Sequence, residues 1–233
     1  MWKPKAGLTW QWQLSGTVNT SFNVQVYDID GDTSASVVSK LHAAGRKVIC
    51  YVDVGSYEDY RSDASKFPAS VLGKTNGWPG ERWLDIRQIS VLKPIMAARF
   101  AACEKKGFDG IEADNVDGYE NDTGFDLTAT NQLTYNRMIA GLAHADSLAI
   151  GLKNDPDQVG QLVSSFEFSV DEQCFEYSEC NELKPFITAD KPVFEVEYNL
   201  STSQFCSKAT ALGFSSMRKN LDLDAPRWPC AVK

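Results

Sequence analysis

Carboxylates crowd one short stretch of the chain, Gly107-Phe108-Asp109-Gly110-Ile111-Glu112-Ala113-Asp114-Asn115-Val116-Asp117-Gly118-Tyr119. It opens on a glycine turn, continues as a short apolar strand and releases three acids and an amide where the strand stops. An unpaired ionised carboxylate away from water costs several kcal/mol, so such a strand end marks a site. Period-two alternation puts Glu112 and Asp114 on one face, Asp114 nearer the open end. A second acid, Glu172, ends the segment from Phe166 to Cys174. Two carboxyls brought to about 5 to 6 Å suit double displacement at a glycosidic bond, one acting as nucleophile and the other as acid and base. Lys153 could neutralise Glu112 and keep Asp114 ionised, while a carboxyl in an apolar pocket is pushed toward its protonated form. That division makes Asp114 the nucleophile and Glu172 the acid/base. The competing reading pairs these acids with Lys153, Arg218 or Arg82 as buried salt bridges.

The elements that must position these residues alternate along the chain. Strands are expected at 10–14, 24–30, 47–54, the stretch ending in Asp114, 149–154, 166–174, 192–198 and 214–219. Helices are expected at 33–44, 89–106, after the loop 120–126, and near 158–165, 181–188 and 203–212. Eight strands alternating with helices, each strand ending in polar groups, predict a single-domain (β/α)8 TIM barrel of the α/β class over residues 1–233. An open doubly wound sheet is the runner-up, but the first turn has no glycine-rich nucleotide fingerprint. Barrel sites sit at the C-terminal strand ends, which collects Gln13, Asp28 or Asp30, Asp53, Asp114 with Asn115, Lys153 with Asn154, Glu172, Glu197 with Tyr198, and Arg218. The long connection from Gly55 to Arg87 carries Trp78, flanked by glycine and proline and expected to be exposed, and Asp85.

A formal charge of -8 and a pI near 4.8 argue against nucleic acid as partner and for a neutral or cationic ligand. Six cysteines without paired CxxC spacing read as disulfides formed in an oxidising compartment. Proximity suggests Cys174 with Cys180; adjacency of elements suggests Cys50 with Cys103 and Cys206 with Cys230. Sequons at Asn19, Asn121 and Asn199 fit a secretory route. No apolar run is long enough to span a bilayer, and Met1-Trp2-Lys3-Pro4 has no signal-peptide core, so secretion would need a leader removed upstream. Asp28-Ile29-Asp30-Gly31 and Asn115-Val116-Asp117-Gly118 mimic fragments of a calcium loop but lack its end ligands. His42 and His144 have no HExxH partner, and there is no GxSxG elbow. No metal site and no cofactor are expected.

Taken together, Cys50-Tyr51-Val52-Asp53-Val54-Gly55-Ser56 with Arg61, Gly80 to Ile86, Gly107 to Tyr119, Gly151-Leu152-Lys153-Asn154, Asp171-Glu172-Gln173-Cys174 with Glu179-Cys180, and Glu197-Tyr198 resemble glycoside hydrolase family 114 over nearly the whole chain. The resemblance implies an endo-α-1,4-polygalactosaminidase acting on cationic galactosamine-rich exopolysaccharide. It implies Asp114 and Glu172 as the catalytic pair and substrate-lining roles for Asp53, Asp85, Lys153, Glu197 and Tyr198, to which Trp78 and Asn115 are added from their positions. An extracellular or cell-surface monomer is expected. The rival readings are a non-catalytic carbohydrate-binding barrel and a metal-dependent hydrolase.

Overall fold

Apolar segments bounded by polar turns become the strands of one curled sheet in the structure, a computed structural model that describes residues 1–232. In chain order the elements are β1 (Trp10–Gln13), β2 (Val26–Asp30), α1 (Ala35–Ala43), β3 (Lys47–Asp53), β4 (Ser56–Glu58), β5 (Glu81–Trp83) and α2 (Ile89–Lys106). There follow β6 (Gly110–Asp114), α3 (Ala129–Ala145), β7 (Ala149–Lys153), α4 (Val159–Leu162), β8 (Phe168–Glu172) and α5 (Cys174–Tyr177). The chain closes with α6 (Lys184–Thr188), β9 (Val193–Glu197), α7 (Thr202–Leu212), β10 (Ser215–Arg218) and β11 (Trp228–Pro229). The order β1-β2-β3-β6-β7-β8-β9-β10 is parallel throughout, and β11 runs antiparallel on β10. The chain forms a single-domain (β/α)8 barrel held by three disulfides.

Local chemistry explains the element ends. Thr128 caps α3 in a reciprocal box with Asn131, and α2 stops at Gly107, whose φ of 91° only glycine adopts freely. Where expectation and structure differ, backbone hydrogen bonding gives the reason. The second strand begins at Val26 because the amides of Gln25 and Val26 both turn to the carbonyl of Thr9. The long connection after β3 is ordered by the antiparallel pair β4 and β5 and by two 3-10 turns, Ala64–Lys66 and Ala69–Val71. The helix expected at 158–165 shrinks to α4 behind a 3-10 turn at Pro156–Gln158. The one expected at 181–188 divides into a 3-10 turn and α6, with Pro185 in the first turn of α6, where its missing N–H costs no helical bond.

The strands separate two apolar layers. Ile29, Val48, Cys50, Ile111, Ala113, Ile150 and Leu152 pack outward under the helices. Trp10, Trp12, Val26, Ile49, Phe168, Val170, Phe194, Val196 and Met217 fill the barrel interior. A Cβ on Gly151 would lie 2.1 Å from the Phe168 ring, so glycine there is what lets that ring enter the interior. This phase is what aims the site. With Ile111 and Ala113 outward, Glu112 and Asp114 face inward; with Phe168 and Val170 inward, so does Glu172.

Between β1 and β10 the barrel is closed by side chains and by the C-terminal segment. The Trp10 indole donates to the Ser215 carbonyl at 2.7 Å, and the amide of Leu14 donates to Leu223 at 3.0 Å. Gln11 reaches the carbonyl of Ala225, and Arg227 reaches that of Trp10. The disulfides pair Cys50 with Cys103, Cys174 with Cys180 and Cys206 with Cys230, as expected. The first ties β3 to α2 across 53 residues of sequence, a loop whose closure restricts the unfolded chain by about 4 kcal/mol in the chain-entropy account. Replacing Cys50 and Cys103 together by Ala is expected to lower Tm by roughly 10 °C, measured by calorimetry. An unchanged Tm would show that the β3 and α2 contacts hold without the bond.

Candidate active site

The floor of the site is a buried ammonium. Lys153, at the end of β7, is 4% exposed in its side chain, yet its Nζ lies 3.0 Å from Asp114 Oδ1, 2.8 Å from Glu172 Oε2 and 3.7 Å from Glu112 Oε1. It also sits 5.1 Å from the centre of the Trp12 ring. Burial alone would favour the neutral amine, but the charges of Asp114, Glu172 and Glu112 outweigh it and hold Lys153 well above the usual lysine range. Two contacts of 3.0 and 2.8 Å to one nitrogen bound the separation of the Asp114 and Glu172 oxygens at about 6 Å.

Each acid is fixed from a second side. Asp114 Oδ2 accepts from the Tyr51 hydroxyl at 2.6 Å, and Oδ1 accepts from the amide of Asn115 at 2.8 Å. Burial pushes Asp114 up, but Lys153, Tyr51 and the Asn115 amide prevail and hold it below the ordinary carboxylate value. Glu172 Oε1 accepts from the Tyr198 hydroxyl, and its amide donates to Asn154 Oδ1 at 3.0 Å. Burial and the Glu172 charge push the Tyr198 phenol up, so it stays a donor. Asn115 and Asn154 both adopt left-handed backbone, with φ of 58° and 51°. That conformation, tolerated by asparagine, turns the chain sharply as it leaves β6 and β7.

Glu112 is held differently from the expectation. Lys153 spends its shortest contacts on Asp114 and Glu172, and Glu112 shares the interior with Asp28. Burial and then the neighbouring Asp28 charge raise Glu112 well above its ordinary value, and burial brings Asp28 up to about 7. As two carboxylates they have no donor between them; a single shared proton lets one donate to the other. The competing reading of a salt-bridge network is thus partly realised, with Lys153 as the cation. Arg82 instead donates to the carbonyls of Gly73 and Leu72, and Arg218 stacks on Trp228.

Above this floor opens a cleft of about 710 Å³ whose walls include Trp12, Tyr51, Trp78, Trp83, Asn115 and Asn154. Trp78 stands at the rim, 51% exposed, and 221–223 form part of the wall. The structure therefore brings together Asp114, Glu172, Lys153, Asn115 and Trp78. It leaves four expected substrate contacts, Asp53, Asp85, Glu197 and Tyr198, outside the cleft wall. Asp53 is fully buried and holds the turn after β3, accepting from the amides of Gly55 and Ser56 and from Asn115 Nδ2. Asp85 pairs with Arg87, two residues on, at 2.7 Å. Glu197 points to the outer face, because Phe194 and Val196 point inward, and accepts from the amides of Phe175 and Glu176. Tyr198 acts through Glu172. Gln13 folds onto the carbonyls of Ser15 and Thr17, and of the pair Asp28 and Asp30 only Asp30 reaches the cleft, bonded to Arg61. Asp117, Asn121 and Glu81 also line the wall and were not singled out as site residues. Asp117 sits in the turn that resembles half a calcium loop, which is the signal that could have found it.

An inward-facing acid pair at the C-terminal strand ends of a (β/α)8 barrel, under an aromatic-walled cleft, is the arrangement of a glycoside hydrolase. The sequence matches glycoside hydrolase family GH114 over residues 1–233, and the chain belongs to that family. It is similar to the crystal structure of Aspergillus fumigatus Ega3 in complex with galactosamine, at 38% identity and a TM-score of 0.93, covering 98% of this chain and 97% of that one. The glycoside hydrolase domain of PelA from Pseudomonas aeruginosa shares the fold, with a TM-score of 0.72 at 14% identity, covering 97% and 99% of the two chains. A protein of Deinococcus radiodurans described as uncharacterized is 29% identical over 128 residues, a match spanning 48% of this chain and 41% of that protein's length.

The tight approach of β3 to β6 is testable. A Cβ on Gly55 would sit 1.6 Å from the carbonyl oxygen of Asn115, and the Gly55 amide donates to the Asp114 carbonyl at 3.1 Å. Gly55→Ala is expected to destabilise the fold by about 1–3 kcal/mol in denaturant titration and to lower hydrolytic activity by displacing Asp114. Wild-type stability and activity would refute that coupling.

The buried acids fix the sign of the pH dependence. Burial raises Asp28 to about 7, and Asp155 to about 8. Such groups keep their proton in the fold while the unfolded chain releases it near pH 4, so the fold binds more protons across this interval and stability falls as pH rises. The depressed acids Asp63 and Asp85 do not reverse the trend, because their contribution is complete above about pH 4. Tm is expected to be several degrees higher at about pH 5 than at about pH 8, and a rise across that interval would contradict the buried-proton account.

Proposed function

We propose that this chain is a secreted endo-glycosidase that hydrolyses α-1,4-linked, galactosamine-containing polysaccharide through a covalent glycosyl-enzyme intermediate. The observation that carries the mechanism is that Asp114 and Glu172 grip one ammonium, which sets their oxygens within about 6 Å of each other, near the spacing of retaining glycosidases. Asp114, ionised by Lys153 and Tyr51, attacks the anomeric carbon. The bond to the leaving oxygen breaks as Glu172, which enters this step carrying a proton taken up from solvent, gives that proton to the oxygen. Water then attacks the same carbon, returns a proton to Glu172 and releases Asp114. Lys153 and Tyr51 orient the nucleophile; Tyr198 and Asn154, following the strands on either side of β8, hold Glu172.

The substrate class is supported by the galactosamine bound to the similar Aspergillus protein and by the charge of the cleft, where six carboxylates face two cations, Arg61 and Lys153. Rings such as Trp78 and Trp83 offer faces on which sugars stack. The three disulfides support folding in an oxidising compartment. No described helix is long and apolar enough to cross a membrane.

On fully deacetylated α-1,4-galactosamine polymer the wild type is expected to release new reducing ends. Asp114→Asn and Glu172→Gln are each expected to lose about a thousandfold or more in kcat with the fold intact by circular dichroism. Substantial turnover by either variant would reject the pair, and polymer binding without any wild-type hydrolysis would make the barrel a lectin. NMR of the first product should show the α anomer; a β product would replace the covalent intermediate by direct attack of water.

A further inference from the structure

The acids of the cleft differ in whether the protein itself supplies a partner. Asp30 is gripped by Arg61 through two bonds of 2.8 Å. Glu81 accepts from Tyr60 at 2.9 Å and from Asn76 at 2.7 Å. Asp114 and Glu172 share Lys153. Asp222 lies exposed at the rim, where water serves it. Asp117 differs from all of these. It is half-buried in the cleft wall, and among the described residues no cation or side-chain donor comes within ion-pair or hydrogen-bond distance of its carboxylate.

Its backbone, by contrast, is firmly held. Val116, just before it, is fully buried and its carbonyl accepts from Asn136 Nδ2 at 3.0 Å. The carbonyl of Asp117 accepts from the amide of Glu120 at 3.0 Å and from Asn121 Nδ2 at 3.1 Å. A rigid turn thus presents an unpaired carboxylate to the cleft, three residues beyond Asp114. Burial and the Asp114 charge bring this carboxyl up to about 6, against smaller opposing pulls from its own backbone amide and from Lys153. A close counter-ion is what a ligand can add here, and a galactosamine unit carries an ammonium on its second carbon.

We propose that Asp117 is the specificity residue of the cleft, its carboxylate receiving the 2-ammonium group of a deacetylated galactosamine unit bound beside Asp114. This rests on the galactosaminidase reading above and sharpens it. An N-acetylated unit offers a neutral amide there, which leaves the carboxylate without a counter-charge and adds bulk against the turn. The cleft therefore selects for free amines at this position. The residue does no bond chemistry; it decides which sugar is placed over the nucleophile.

The test compares wild type and Asp117→Asn, equal in size and without the charge, on fully deacetylated and partly N-acetylated α-1,4-galactosamine oligomers. The variant is expected to lose about 10- to 100-fold in kcat/KM on the deacetylated oligomers, mainly through KM, and to stay within about threefold of wild type on the acetylated ones. Inhibition by free galactosamine should weaken in parallel, whereas inhibition by N-acetylgalactosamine should not. A wild type that cleaves neither oligomer would sink the functional reading itself. A wild type that cleaves, with an unaltered preference in the variant, would sink only the role of Asp117. An equal loss on both oligomers would do the same, showing a merely structural turn. Should the Asn variant lose its fold, Asp117→Ser gives the same readout.

Discussion

An ammonium withdrawn from water is the constraint on which this molecule turns. Lys153 reaches Asp114, Glu172 and Glu112 at once from the middle of the barrel floor, and burial alone would strip its proton. Its charge survives because acids arrive from β6 on one side and β8 on the other, while the Trp12 ring from β1 stands 5.1 Å away. Such an arrangement is expensive to desolvate, and a single missing partner leaves an uncompensated charge behind. Precision in the surrounding strands follows from that demand. The Gly151 gap for Phe168, the close passage of Gly55 under Asn115 and the Tyr51 and Tyr198 hydroxyls all bear on where three polar side chains meet.

The barrel was legible in the sequence because its strands are apolar runs ended by polar groups and its helices stop at glycines such as Gly107. The site was legible where an acid cannot be explained locally. Asp114 follows Ile111 and Ala113 at alternating positions, and Glu172 follows Phe168 and Val170, so one phase turns each into the interior. What stayed hidden was phase itself wherever both faces of a strand are covered. Glu197 and Tyr198 are neighbours and cannot both point inward; β9 alternates Phe194 and Val196 with Glu195 and Glu197, but both faces are buried, so the pattern does not say which one lines the interior. The Phe194 and Val196 contacts inside the barrel decide it, and they are visible only once the sheet has curled.

Other misplacements have local causes. Asp85 lies two residues from Arg87, and that pairing satisfies it without any substrate. Asp53 spends its oxygens on the turn that follows, so a residue beside the chemistry serves as scaffold for it. The wall built by 221–223 carries no motif at all, because its position comes from long-range backbone contacts with the first strand. Proton inventory was equally opaque. Asp28 and Glu112 are distant in sequence, and only their shared burial makes them compete for one hydrogen.

The side-chain seam has an implication for biogenesis. Trp10 and Ser215 are 205 positions apart, and the segment beyond β10 supplies both the latch on β1 and part of the cleft rim. A ribosome delivers those parts of the barrel after its other parallel strands. During translation the nascent polypeptide therefore carries its carboxylates on an unfinished vessel, unable to seat a sugar chain until the final stave has been threaded out and locked to the first.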